Sequence, residues 1–330
     1  MRVLVTGAAG YIGSHTLREL LDTGHEVVAV DNYSNSDSSN LDALRNAGYS
    51  FEFIQADLTY MEDIIDLVDH VRHFDAVVHF AGYKKVEQSV KYPLAYYRNN
   101  VISTMNVLDL MNFCSIKNLV FSSSCTVYGQ ADEMPITEGT PQKKAESPYG
   151  SSKQMCETII GDWAKLNGKN AVILRYFNPA GAHPDNLIGE VTDELSGLVP
   201  ALVKYAKGEK PDFRVHGGDY FETRDGSPVR DYIHVVDLAK AHIKAMDYAK
   251  RENPGLDVFN LGTGQGTTVL EFIQSFKENC LDIDVEIGPR RSGDVMMAYA
   301  DITKAREVLD WEPIYEITDI VKTAWAWENK

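Results

Sequence analysis

The N-terminal stretch narrows the fold of this chain more than any other. Val3-Leu4-Val5 is a short apolar run that ends at Thr6-Gly7-Ala8-Ala9-Gly10-Tyr11-Ile12-Gly13, and Leu17, Leu20 and Leu21 follow at helical spacing. Strand, glycine turn and helix in that order open a βα unit. Its glycines let the backbone turn tightly and approach a pyrophosphate, whose charge sits on the helix N-terminus. A glycine triplet alone is common, but the flanking strand and helix make this one a dinucleotide site. Val27-Val28-Ala29-Val30 reads as the second strand, closed by Asp31. An acidic residue there accepts hydrogen bonds from an adenosine ribose and repels a 2′-phosphate, which favours NAD over NADP.

The alternation continues along the chain. Phe51-Glu52-Phe53-Ile54 predicts a third strand, followed by Asp57-Leu58, where an adenine edge would be gripped. A helix is expected over 61–71, then a fourth strand at Ala76-Val77-Val78-His79 leading into Phe80-Ala81-Gly82. A long helix over 93–114 precedes a fifth strand, Leu119-Val120-Phe121, which opens into Ser122-Ser123-Ser124. A helix bearing Tyr149 and Lys153 and a sixth strand at Ala171-Val172-Ile173-Leu174 complete the pattern. This predicts an α/β fold: a Rossmann-type doubly wound parallel sheet with ligands at the strands' carboxyl ends. Past Arg175, prolines and glycines loosen the pattern. Residues 1–176 read as an NAD-binding domain, and 177–330 mainly as a smaller mixed α/β C-terminal substrate domain. Segments near 229–250 and 257–262 are expected to return to the NAD-binding domain, with His234-Val235-Val236 and Phe259-Asn260-Leu261 as the stretches that would rejoin the sheet. Helices are expected over 197–207, 236–249, 269–279, 303–309 and 319–327, with Trp325 and Trp327 used in packing.

Tyr149 and Lys153, four apart, share one helix face. Moving a tyrosine from about 10 to about 7 costs ~4 kcal/mol. One ammonium ~5 Å away supplies ~3 kcal/mol at an effective dielectric of ~20, and an oxidised nicotinamide would add the rest. The formal charge of −16 argues against a nucleic-acid binder. It also requires that any anionic ligand be held by local arginines, lysines and helix N-termini. The four cysteines are scattered without a Cys-x-x-Cys pair and the nine histidines lack metal-ligand spacing, so no metal is expected. Only three apolar residues separate Met1-Arg2 from Thr6, too few for a signal peptide, and no apolar run approaches the ~18 residues of a membrane span. The expectation is a cytoplasmic protein with no membrane partner.

Thr6-Gly-Ala-Ala-Gly-Tyr-Ile-Gly13, His79-Phe-Ala-Gly82, Ser122-Ser-Ser124, Tyr149-x-x-x-Lys153 and Arg175-Tyr-Phe-Asn-Pro-Ala-Gly-Ala-His-Pro184 occur in one order. Val229-Arg-Asp-Tyr-Ile-His-Val235, Asn260-Leu-Gly262 and Arg290-Arg-Ser-Gly-Asp294 extend it over nearly the whole length. The set resembles the UDP-galactose 4-epimerases, which are extended short-chain dehydrogenase/reductases. The resemblance implies that Tyr149 removes the C4 hydroxyl proton of a UDP-sugar while the C4 hydrogen passes as hydride to tightly bound NAD. The resulting 4-keto sugar turns over within the site. Ser124 would hydrogen-bond the C4 oxygen and relay the proton, and Lys153 would hold the nicotinamide ribose. Asp31, Asn35, Ser36 and Asp57 would face the adenosine, and Lys84 and Asn99 the ribose and phosphates. Gly7, Gly10, Tyr11, Ile12, Gly13, Asn32, Leu58, Phe80, Ala81, Gly82 and Tyr176 would complete the cofactor site. Asn178, Arg230 and Arg291 would meet the substrate pyrophosphate and Asp294 the uridine ribose, with Leu198, His216, Tyr232 and Ala298 also lining the substrate. A surface salt bridge with Asp231 is the structural alternative for Arg230. A homodimer is implied as well, through the 93–114 and Tyr149 helices.

The chain departs from that pattern at three places. Leu195-Ser196-Gly197-Leu198 stands where Pro-Asn-Asn-Leu is usual, so one side-chain amide is missing or replaced by backbone. His216 stands where an aromatic residue often packs on uracil. Ala298 stands at the position that limits the sugar pocket, and a small residue there implies that UDP-GlcNAc and UDP-GalNAc are also accepted, unless Tyr299 fills the space. Cys125 and Thr126 follow Ser124 where nucleotide-sugar 4,6-dehydratases carry Asp-Glu and UDP-glucuronate decarboxylases a glutamate at the second position. Neither residue supplies a general acid or base, which argues against both activities. UDP-glucuronate 4-epimerase remains an alternative, as does a catalytically dead NAD-bound sensor, although the latter would have no need of Ser124, Tyr149 and Lys153 together.

Overall fold

A computed structural model of the chain describes residues 1–166, 168–191, 197–290 and 295–330. Its main elements, in chain order, begin with β1 (Arg2–Thr6), α1 (Tyr11–Asp22), β2 (Glu26–Asp31), β3 (Glu52–Gln55) and β4 (Ala76–His79). They continue with α2 (Ser103–Phe113), β5 (Asn118–Ser124), α3 (Pro148–Ala164) and β6 (Asn170–Tyr176). The last are α4 (Leu198–Ala206), α5 (Val235–Glu252), β7 (Leu256–Leu261), α6 (Val269–Asn279) and α7 (Ile317–Glu328).

The strands form one seven-stranded sheet in the order β7-β6-β5-β4-β1-β2-β3, with every neighbouring pair parallel. Successive side chains point to opposite faces, so Val3 and Val5 bury on one side and Leu4 on the other. Val3, Val5, Ala29, Val78 and Val172 pack with Leu17 and Leu20 of α1 and Leu238 and Ala241 of α5. Leu4, Val28, Val77, Leu119 and Ile173 pack with Val107 and Leu110 of α2 and Cys156 and Ile160 of α3. Both faces are covered, which is why these strands are continuous apolar runs. The winding reverses between β1 and β4, and a crevice opens at that point beyond the strands' carboxyl ends.

The chain past Tyr176 contributes to this sheet and builds a second core. β7 forms the edge beside β6, with Asn260 opposite Arg175. The remaining strands are short: Asn178–Ala180 lies parallel to Tyr232–His234, and Val229–Arg230 lies between Thr267–Thr268 and Met297–Ala298. Residues 229–234 are therefore outside the large sheet, although α5 after them covers it. Leu202 of α4, Phe272 and Phe276 of α6 and Ile320 and Val321 of α7 form the second core.

Two helices differ from expectation. The stretch over 93–114 is Pro93–Tyr97, a π-helical turn at Arg98–Ile102, and then α2. The wide turn follows from side-chain demands that periodicity does not carry. Asn99 lines the cleft, while Asn100 is buried, accepting from the Tyr83 amide at 2.7 Å and donating to Ser152 Oγ at 2.9 Å. The helix expected over 61–71 stops at Val68.

Candidate active site

Glycine is required at the turn after β1 by geometry. Gly7 has φ +68°, and a Cβ on it would lie 2.6 Å from the Ala81 nitrogen. A Cβ on Gly13 would lie 2.1 Å from the Gly7 carbonyl oxygen, so α1 and β1 approach as closely as backbone allows. α1 starts with Gly10 at its N-cap, no side chain capping it and no acidic residue in its first turn. Its first N–H groups are thus left for an anion. At the end of β2, the Asp31 carboxylate accepts from the Ala9 amide (3.0 Å), the Tyr33 amide (2.9 Å) and Ser36 Oγ (3.1 Å). Burial pushes this carboxyl above its ordinary value, and those bonds draw it partly back. A carboxylate offers about four acceptor positions, which leaves room for a ribose hydroxyl. Burial also pulls Asp57 upward, but bonds from Thr59 and Asn32 outweigh it and hold the group below its ordinary value.

All nineteen residues expected at the cofactor, from Gly7 to Tyr176, line one cleft. Asn40, Tyr83, Ser122, Glu190 and Val191 line it too and were not anticipated. Glu190 and Val191 arrive from the loop after Ala180, which nothing in their local sequence connects with the glycine turn. The uncapped helix, the glycine cradle and the poised Asp31 fit a dinucleotide.

The reactive groups stand where this cleft meets the ends of β5 and β6. Ser147 caps α3, its Oγ accepting from the Gly150 amide at 3.1 Å, with Pro148 in the first turn, and this places Tyr149 at the buried start of the helix. One turn on, the Lys153 ammonium donates to the Ser122 carbonyl at 2.7 Å and sits 4.7 Å from the centre of the Phe121 ring. Ser124 Oγ accepts from the Thr126 amide at 3.3 Å. Burial pushes the Tyr149 phenol well above its ordinary value, Tyr176 adds to this, and a side-chain hydrogen bond with Ser124 draws it back. Burial likewise holds Lys153 below its ordinary value. The lowered tyrosine expected from the ammonium is therefore absent in the protein alone. Desolvation dominates at the phenol, so the phenolate form requires further positive charge within the cleft.

A buried network that sequence reading missed fixes this geometry. Glu157, one turn beyond Lys153, accepts from Arg175 Nε at 3.0 Å and Nη2 at 2.6 Å, from Ser123 Oγ at 2.5 Å and from Gln142 at 2.7 Å. Arg175 also donates to Tyr128 Oη at 3.0 Å, which in turn donates to Asn260 Oδ1 at 2.7 Å. The network ties α3 to β5, β6 and β7 directly beneath Ser124 and Tyr149. Ser122 and Tyr176 are also hydrogen-bonded through their hydroxyls.

The expected substrate residues gather less completely. Asn178 pairs with Tyr232, and its amide donates to the Asp231 carbonyl at 2.9 Å. Arg230 donates to the Val229 carbonyl at 2.8 Å and lies near the Cys125 thiol, which burial pushes up to about 12 while the arginine opposes that. Asp231 is fully buried, and accepts from Thr263 N (2.6 Å), Thr263 Oγ1 (2.7 Å), Gly264 N (3.2 Å) and Ala300 N (3.1 Å). A surface salt bridge between Arg230 and Asp231 is thereby excluded. The Tyr232 ring packs in the second core, 4.5 Å from the Phe272 ring. Leu198 begins α4 after Gly197, whose φ of +103° favours glycine. His216 lies beside Pro289, its Nδ1 3.3 Å from that carbonyl. Arg291, Asp294, Leu195 and Ser196 lie outside the described residues.

Ala298 pairs with Arg230 and packs beside Cys125 in a small cluster with Val127, Ile136 and Phe177. The ring of Tyr299 points the other way: a Cβ on Gly266 would meet it at 3.0 Å.

The description of the NAD dependent epimerase/dehydratase family matches residues 3–262. The chain belongs to this family. Within the family it is similar to the UDP-glucose 4-epimerase of Dictyostelium discoideum, 42% identical over 335 residues, covering 99% of this chain and 96% of that one. Among solved structures it is similar to the Stenotrophomonas maltophila UDP-glucose-4-epimerase with bound NAD and formylated UDP-arabinopyranose. The TM-score is 0.94 at 40% identity, over 100% of this chain and 98% of that one. The Bifidobacterium longum UDP-glucose 4-epimerase in complex with NAD+ and UDP gives 0.93 at 41% identity, with coverage of 100% and 98%. The two residues after Ser124 in this chain are Cys125 and Thr126.

Proposed function

We propose that the chain interconverts UDP-glucose and UDP-galactose by inverting C4, with NAD held throughout. The observation that carries this reading is that Tyr149 and Lys153 line one cleft and Ser124 stands beside the Tyr149 phenol, with no carboxylate or imidazole in the two positions after Ser124. NAD, when bound, takes up the C4 hydrogen as hydride and gives it back. Tyr149 accepts and returns the C4 hydroxyl proton, and Ser124, hydrogen-bonded to it, passes that proton along. Lys153 holds the nicotinamide ribose and supplies positive charge next to a buried phenol. The dry surroundings of Tyr149 keep water from the 4-keto sugar. Arg230 and Asn178 take the substrate's pyrophosphate, with Arg291 and Asp294 beyond them. Purified protein given UDP-galactose without added NAD should form UDP-glucose, and failure to form any 4-epimer would refute the reading.

The small side chain of Ala298, beside Arg230 in the sheet register, supports a wider substrate range that includes UDP-GlcNAc and UDP-GalNAc. A298Y should cut turnover of the N-acetylated sugars by about 10- to 100-fold, the equivalent of ~1–3 kcal/mol of steric cost, and spare UDP-galactose. Equal losses for both sugar classes would remove Ala298 as the gate.

A homodimer is also proposed. The helical segments over 86–113 pack on α3, and between them they expose Val90 (63%), Leu94 (63%), Phe113 (64%) and Met155 (48%). That much apolar surface on neighbouring helices suits a second copy of this chain. The parent should sediment as a dimer and L94E as a monomer; a monomeric parent would contradict this.

A further inference from the structure

The loop over 181–191 is fastened along its length to the dinucleotide half by contacts that the reaction does not use. The Tyr11 hydroxyl donates to the Gly181 carbonyl at 2.5 Å. Arg18 of α1 grips the Asp185 carboxylate with both terminal nitrogens, at 2.9 and 2.7 Å. Asn40, itself buried, exchanges hydrogen bonds with the Gly189 backbone, donating to its carbonyl at 2.9 Å and accepting from its amide at 3.3 Å. From behind, Trp327 of α7 presses so closely that a Cβ on Gly189 would lie 2.4 Å from its ring. The next residue, Glu190, enters the cleft and pairs with Lys84 at 2.9 Å.

That carboxylate is out of place by simple electrostatics. The chain carries −16, and the cleft's floor is an open helix N-terminus suited to an anion. A further negative charge there is unfavourable unless it does something through its partner. Lys84 sits 5.5 Å from the centre of the Tyr11 ring, at the first residue of α1, so the pair bridges the loop to the anion-binding end of the cleft. The Glu190 side chain is 17% exposed and that of Lys84 45%, so the carboxylate is sheltered while the ammonium end of the pair meets solvent, and salt screens part of the attraction.

We infer that residues 181–191 form a strap over the dinucleotide cleft and that the Glu190–Lys84 pair is its clasp, slowing the escape of NAD. This rests on the reading that the cleft holds NAD. A cofactor returned to its starting form every cycle needs no exit, so a fastened strap costs nothing in turnover. Gly189 is then the position that lets α7 back the strap, and Asn40 the residue that sets its height over α1.

The test is the rate at which bound NAD leaves. NAD-loaded parent, E190Q and G189A are diluted into excess alcohol dehydrogenase and ethanol, which convert released NAD to NADH for detection. E190Q should release NAD about fivefold faster than the parent. G189A keeps the carboxylate but drives the strap against Trp327, and should also release it faster. Release from E190Q at less than twice the parental rate would overturn the clasp. Slower release would overturn it too, because the carboxylate would then merely oppose the pyrophosphate. A parent that retains no nucleotide after purification would overturn the NAD reading and the strap together.

Discussion

Tyr149→Phe should lower kcat for UDP-galactose by about 10²- to 10⁴-fold while NAD remains bound, the range by which a positioned proton-transfer group contributes. The substitution removes one hydroxyl from a buried site and leaves the ring that faces Tyr96, at 6.5 Å between centres, in place. The effect is therefore chemical and not structural. Tyr149 is held above its ordinary value by burial, with Ser124 as the group that opposes this. Removing the hydroxyl removes both the proton acceptor and the partner through which Ser124 acts. Turnover is read by coupling UDP-glucose formation to a dehydrogenase, and bound nucleotide by absorbance after acid release. A kcat within tenfold of the parent would mean that another group accepts the C4 proton.

Glu157→Ala should destabilise the protein by about 3–5 kcal/mol, because it strands the Arg175 guanidinium in the interior without its partner. The two side chains are 6% and 8% exposed, so the guanidinium is left largely out of solvent. Spread over a chain of 330 residues, this corresponds to a fall in Tm of roughly 4–7 °C. Activity should fall as well, since the same carboxylate ties α3 to Ser123 and so sets Lys153 and Tyr149 against Ser124. Thermal unfolding by circular dichroism measures the first effect. A Tm unchanged from the parent would show that the network is not needed to close α3 onto the sheet.

The contrast between these two residues explains how much was legible in the sequence. Gly7, Gly13 and Asp31 could be read because local backbone geometry dictates them: a turn with positive φ, a contact closer than a Cβ permits, and a strand end. Tyr149 and Lys153 could be read because one helical turn brings them together. Glu157 has the same spacing from Lys153, yet its partners Ser123, Gln142 and Arg175 come from three other segments. Only the order β5-β6 and the seat of α3 unite them. Glu190 was missed for the same reason, because its partner Lys84 and the glycine turn lie more than a hundred positions earlier. The contact of Tyr232 with Phe272 was not legible, because on a strand of three residues no alternation is long enough to reveal which face meets that ring. The π-helical turn at Arg98–Ile102 escaped because an apolar periodicity does not register one extra residue that seats Asn99 and Asn100.

The central claim is that the hydrogen on C4 leaves and returns to the same carbon inside a closed site. Purified protein with no nucleotide added should be given UDP-galactose carrying deuterium at C4, and the product examined by NMR and mass spectrometry. The account predicts UDP-glucose that retains the deuterium at C4. Product whose C4 carries solvent hydrogen, or product that appears only when NAD is added and is accompanied by free NADH, would contradict it.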